Sequence, residues 1–191
     1  MSPRTDKQNK DIRQKMELQI LNAALDLFAS DGFEGTSMQS IAKEAGVSKG
    51  NLYNYFESKQ ELLKGVLLHG LDQLSEVMEA SSLELLTEEA FEGAIRVNFE
   101  LIRSNKVFWK LYYNLFAQPK VQVLFSEIFN PFLEQYLEIF ELYFENKGDK
   151  NPKTTALLLG STLDGVSLGF LMMGDAYPLD DIVDQIIMKF K

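Results

Sequence analysis

The sequence contains no cysteine and a single histidine among its 191 residues. Without cysteine there is neither a disulfide framework nor a thiolate metal site, and nothing argues for an oxidising compartment, so the cytoplasm is the expected location. With only His69 available, Cys-based catalytic triads and the paired Glu-x-x-His ligands of di-iron bundles are excluded. No metal, no cofactor and no enzymatic activity are therefore expected. Strand signals are nearly absent. The polar N-terminus, MSPRTDKQNKDIRQK, lacks the apolar core of a signal peptide and reads as a flexible basic arm. The most apolar run, 156–173, carries Asp164 near its middle. A carboxylate at a bilayer centre costs about 2.5–3.5 kcal/mol, so this run reads as a buried helix and no membrane partner is expected.

What is present fits an ordinary globular chain, with 46% hydrophobic and 25% charged residues. Its length suits two units, a small one over 1–60 and a larger one over 61–191. The net charge of −9 is unevenly placed. Residues 1–60 hold eight Lys/Arg and eight Asp/Glu, which leaves the whole excess on 61–191. A neutral head with a basic arm (Arg4, Lys7, Lys10, Arg13, Lys15) and an acidic body is the pattern of a chain that meets a polyanion at one end only.

Apolar residues recur three and four apart, as in Leu18, Leu21, Ala24, Leu25 and Phe28, so the fold class is all-α. Helix one is expected from about Asp11 to Ser30, ending at Asp31-Gly32. Thr36-Ser-Met-Gln39 reads as a capping box that opens a second helix near Ser37 and runs to Gly46. Ser48 caps a short third helix, and Ser58-Lys59-Gln60-Glu61 is a further capping box. Beyond these, Thr87 opens a helix to about Arg103, and another covers Val107 to Phe116. Pro119 and Pro131 are expected to split the next stretch into a short and a longer helix ending near Asn146. Asn151-Pro152 starts the apolar helix, and Asp180-Asp181 begin a last one.

Residues 38–56, MQSIAKEAGVSKGNLYNYF, have the spacing of a helix-turn-helix. Ala42 is small where two helices cross, Gly46 suits a positive-φ turn, and Ile41, Val47 and Leu52 lock the pair. The third helix then leaves Lys49, Gly50, Asn51, Tyr53 and Asn54 off its Leu52/Phe56 face, where a major groove would lie. Asn51 suits adenine N6/N7, and Lys49, Tyr53, Tyr55 and Lys59 suit phosphate oxygens. Ordinary helix packing is the competing reading for Tyr53 and Tyr55, and a solvated capping-box residue that for Lys59.

From Gly35 to Leu63 this stretch resembles the head of the TetR family of bacterial transcriptional regulators, and the preceding helix with Phe28, Gly32 and Phe33 is similar too. The resemblance covers roughly the first third of the chain. It implies a homodimer with about nine helices per subunit, a double-stranded DNA operator, and a C-terminal cavity whose occupancy changes the spacing of the two heads. It further implies phosphate contacts at Tyr53, Tyr55 and Lys59 and base contacts within 49–51. Asn54, between the tyrosines, is a variable position whose role stays open. The candidate DNA contacts are Thr36, Ser37, Ser48, Lys49, Gly50, Asn51, Tyr53, Asn54, Tyr55 and Lys59. A repressor released by a small, largely apolar effector is the expected function. The alternative is a helical interaction protein with a DNA-silent head.

Eleven aromatic residues fall between Phe99 and Phe140. Most are core. Phe99, Trp109, Tyr112, Tyr113, Phe116 and Tyr136 are the candidate pocket set. Asp164 is read as a pocket group or as an interface or solvent-facing residue, the second being preferred. Gly165, Gly169, Ile182, Ile186 and Ile187 are the candidate dimer contacts, on the family's usual arrangement of its last two helices.

Overall fold

The computed structural model describes residues 6–82, 87–116 and 118–191, with side chains described at 7–72, 87–115, 118, 121–124 and 126–191. The described residues are helical, with no strand: α1 (Asp6–Gly35), α2 (Met38–Glu44), α3 (Lys49–Tyr53), α4 (Lys59–Ser82), α5 (Glu88–Ser104), α6 (Lys106–Phe116), α7 (Pro119–Asn146), α8 (Pro152–Met173), a 3-10 turn (Gly174–Ala176) and α9 (Leu179–Phe190). The chain divides into two compact units between Gly70 and Leu71. The first takes in three more helical turns than the 1–60 division, because Leu62, Leu63, Val66 and Leu67 of α4 are buried. Gly65 permits that packing, since a Cβ there would lie 3.0 Å from both Leu21 and Phe56.

In the first unit α1 begins at Asp6, so Lys7, Lys10, Arg13 and Lys15 are helical rather than part of a flexible arm. Good helix formers fill this stretch and no Gly or Pro interrupts it. Arg4 lies outside the described residues. Helical geometry breaks at Gly32, whose φ of 75° is left-handed. Phe33 then folds back onto Phe28, ring centroids 5.5 Å apart. Thr36 closes this reversal from inside: its hydroxyl donates to Gly32 O at 2.8 Å and is also within reach of Leu27 O at 3.1 Å. The cap of α2 is consequently Ser37, not Thr36. Ser37 Oγ accepts from Ser40 N, and Ser40 Oγ accepts from Ser37 N, so Ser40 rather than Gln39 completes the box.

In the second unit Thr87 caps α5, whose face of Phe91, Ile95, Phe99 and Ile102 is buried. Phe91 stacks on Tyr143 at 4.4 Å and meets Phe140 edge-on. Contrary to the expected break, α7 is one helix through Pro131. Proline there removes one backbone donor, but Phe129, Phe140, Tyr143 and Phe144 anchor the helix on both sides of it. Its end is a Schellman motif, with Asp149 N donating to Phe144 O and Gly148 N to Glu145 O around a left-handed Gly148. Asn151 occupies the cap position of α8, but its side chain makes no capping bond. Asp149 serves instead, accepting from Asn151 N and Thr155 Oγ1 at 2.7 Å.

The apolar helix α8 is not buried all round. Ala156, Leu159, Leu163, Ser167 and Phe170 face the unit's interior, whereas Leu157, Leu158, Leu168, Met172 and Met173 are exposed. By length and composition Pro152–Ala176 is the one described stretch apolar enough to cross a membrane. Its inward face is packed against its own unit, and Asp164 interrupts it.

Candidate nucleic-acid interface and a cleft in the second unit

The α2–turn–α3 geometry is set by one glycine and four small or apolar side chains. Val47 N donates to Ala42 O and Gly46 N to Lys43 O around Gly46 at φ 66°, a second Schellman motif. Gln19 Nε2 of α1 donates to Ala45 O at 2.8 Å, pinning the turn to the helix beneath it. Ile41, Ala42, Ala45 and Leu52 are buried at the crossing. Ser48 Oγ then accepts from Asn51 N and starts α3.

This leaves one face of α3 open. Lys49, Gly50, Tyr53 and Asn54 are exposed, with Asn51 and Tyr55 half-buried. Lys49, Tyr53 and Asn54 make no side-chain hydrogen bond among the described residues, so their polar groups are available to a partner. Ser37 and Ser48 are exposed at the starts of α2 and α3, although each hydroxyl is engaged as a cap. Thr36 is the exception among the expected contacts. It is 2% exposed and bonded to the backbone, so it supports the head from within.

Lys59 has an internal task as well. Its Nζ donates to Phe33 O at 2.6 Å and Thr36 O at 2.9 Å, and lies 4.4 Å from the Phe33 ring centroid. Two of its three donors thus tie the start of α4 to the α1–α2 connection. Sequence reasoning missed Arg13 as an individual. Its guanidinium stands 5.5 Å from the Tyr55 ring centroid, which brings a cation of α1 beside the end of α3. The count of basic residues before Lys15 was the only available signal.

Residues 20–66 match the family model described as bacterial regulatory proteins, tetR family. Over these residues, which hold the helix-turn-helix, the chain is similar to that family. The uncharacterized HTH-type transcriptional regulator YfiR of Bacillus subtilis is 41% identical over 73 residues, covering 38% of this chain and 34% of its own length. The HTH-type transcriptional regulator RutR of Escherichia coli is 38% identical over 99 residues, 52% of this chain and 46% of its own. The chain therefore spans less than half the length of these curated relatives. Among solved structures, FadR from Bacillus subtilis in complex with stearoyl-CoA superposes with a TM-score of 0.75 at 22% identity, covering 91% of this chain and 96% of that one. At that identity the likeness is one of fold alone.

Within the second unit, α5, α6, α7 and α8 enclose a cleft of about 190 Å³. Of the expected pocket residues, Trp109, Tyr113 and Tyr136 line it. Phe99 and Tyr112 do not; both are buried in the core, Tyr112 edge-on to Phe129. The side chain of Phe116 lies outside the described residues. Asp164 lines the cleft and is at the same time exposed to solvent, and Tyr113 Oη donates to its Oδ1 at 3.1 Å. Burial raises the Asp164 carboxyl above its ordinary value, with the Tyr113 bond acting against the shift. Burial and then the Asp164 charge push the Tyr112, Tyr113 and Tyr136 phenols upward. The Trp109 indole N–H is buried with no acceptor among the described residues. The missed lining residues Gly160, Ser161 and Ser167 sit on α8 three or four residues from Asp164. That polar stripe was the readable signal.

The expected dimer residues are largely used inside the chain. Ile186 and Ile187 are buried with Val183 and Phe190 where α9 packs on α5 and α8, and Ile182 is half-buried. A Cβ at Gly169 would lie 2.8 Å from the Tyr177 ring, so Tyr177 occupies that side. Only Gly165 is exposed with open space above it.

Proposed function

We propose that this protein is a sequence-specific DNA-binding transcriptional regulator that acts as a homodimeric repressor in the cytoplasm and is released by a small ligand. The observation that carries the reading is the helix-turn-helix itself: a rigid turn at Gly46 presents α3 with one face buried and the other polar and exposed. Lys49, Tyr53 and Tyr55 bond phosphates, which fixes register. Gly50 admits close approach, and Asn51, with Asn54 beside it, reads base edges. Lys59 positions the head, and its remaining donor is available to a phosphate. Residues 1–60, extended by the first turns of α4, form the reading head, and the following helices form the ligand and dimer domain.

A two-fold dimer places two α3 helices in successive major grooves about 34–36 Å apart on a pseudo-palindromic operator. The exposed α8 face of Leu158, Gly165, Leu168 and Met172 is the proposed contact between copies. The cleft is the proposed effector site, and its ligand lowers DNA affinity by preferring a DNA-incompetent state. The solved neighbour with stearoyl-CoA favours an effector with apolar surface.

Selection of bound duplexes from a random library at near-physiological salt tests the reading. Enrichment of a palindrome with half-sites one turn apart is expected, and its affinity should fall for Lys49→Ala with a salt dependence shallower by about 0.9 per lost phosphate contact. Absence of any enriched sequence would favour a helical interaction protein with a DNA-silent head.

A further inference from the structure

The cleft in the second unit gathers one carboxylate and three polar aromatics. Asp164 is its acidic lining residue, and no lysine, arginine or histidine stands among the described residues that line it. The phenols stay neutral there, because burial and the nearby carboxylate both oppose their ionisation. The site thus carries a single negative charge. Tyr113 engages Asp164 Oδ1, which leaves Oδ2 without a partner among the described residues. Asp164 is reachable from solvent, whereas Trp109 is only 9% exposed and forms part of the wall.

Such a set discriminates by charge. An anionic ligand would bring like charge to Asp164 with no cation lining the cleft to offset it. A cation gains the carboxylate and the electron-rich faces of indole and phenol rings together. The present volume of about 190 Å³ is also below the roughly 300–1,000 Å³ of sites that hold drug-sized ligands, which favours a compact occupant.

We infer that the cleft takes a compact aryl-substituted organic ammonium ion, held between Asp164 and the rings of Trp109, Tyr113 and Tyr136. This deepens the reading of the cleft as the effector site and rests on it. It sets this chain apart from its structural neighbour with stearoyl-CoA, whose ligand is anionic.

Trp109 is the sole tryptophan, so the intrinsic fluorescence of the full chain reports occupancy of its own wall. Four probes are titrated: benzyltrimethylammonium, its uncharged carbon isostere neopentylbenzene, phenylacetate and stearoyl-CoA. The cation is expected to bind at least about tenfold tighter than the isostere, a difference of roughly 1.4 kcal/mol. In Asp164→Asn the two should bind within about twofold of each other, with the isostere unchanged. Equal or tighter binding of the isostere, phenylacetate or stearoyl-CoA to the unaltered chain overturns the inference, as does silence with all four. If Asp164→Asn fails to fold, the ranking of the four probes on the unaltered chain still decides. Anisotropy of a library-selected duplex is followed in parallel. Retained DNA binding without cation preference defeats this inference alone, whereas cation preference without DNA binding supports it and defeats the regulator reading alone.

Discussion

At the scale of single residues, two side chains decide whether a polar group serves a partner or the fold. Thr36 resembles an exposed cap in the sequence, yet it is buried and donates to backbone carbonyls of α1 and its end. Thr36→Val should therefore lower stability by about 1–3 kcal/mol, because it strands buried acceptors. Urea unfolding measures the loss, and DNA affinity per folded molecule should stay unchanged. Asp164 works in the opposite direction. Its pKa is raised by burial, so the folded state holds the proton more tightly than an unfolded chain at about 3.9. Keeping the group ionised near pH 7 costs stability, and the cost vanishes as pH falls through the raised value to the unfolded one. Asp164→Asn is accordingly expected to melt higher than the unaltered chain at pH 7, with the gap closing towards pH values below about 4. A gap independent of pH would contradict this.

At the scale of elements, the helix boundaries were legible wherever a local hydrogen bond sets them. Ser48, Thr87 and Gly46 act where the sequence places them, because a cap or a left-handed glycine involves only residues within one turn. The cap of α2 was placed one residue early, at Thr36, since Thr36 and Ser37 are locally equivalent and only burial tells them apart. The continuity of α7 through Pro131 was not legible for a related reason. Proline's cost is local, whereas the aromatic packing that outweighs it comes from α5 and α6. Pro131→Ala should restore the missing backbone donor and raise the unfolding free energy by about 1–3 kcal/mol. The denaturation midpoint read by circular dichroism checks this, and an unchanged or lower midpoint would mean that the proline is not strained in α7.

At the scale of the whole molecule, charge and apolar surface are divided between the units. Residues 1–70 carry nine Lys/Arg and nine Asp/Glu, so the excess of −9 falls on the second unit. A neutral head beside an acidic body favours contact with a polyanion through the head alone. The second unit exposes a stripe along α8, with Met172 78% exposed and Leu158 and Leu168 on the same face. This face is the proposed contact between copies. Leu168→Glu is expected to convert a dimer into monomers in sedimentation experiments, and to weaken operator binding by at least about a hundredfold as the second head is lost. A monomeric unaltered chain, or a variant that stays dimeric, would remove α8 from the interface.

The sequence by itself determined the all-helical class, the order of the helices and the helix-turn-helix, because caps, glycine turns and three-four spacing act over a few residues. It also determined which α3 side chains escape the core, since Leu52 and Phe56 fix that helix's inward face. Tertiary structure alone decided that Thr36 and Lys59 hold the head together, that Ile186 and Ile187 serve the core, and that Asp164 shares a cleft with Trp109, Tyr113 and Tyr136. Those outcomes depend on which distant surfaces meet, and burial between elements far apart in the chain leaves no local periodicity to read.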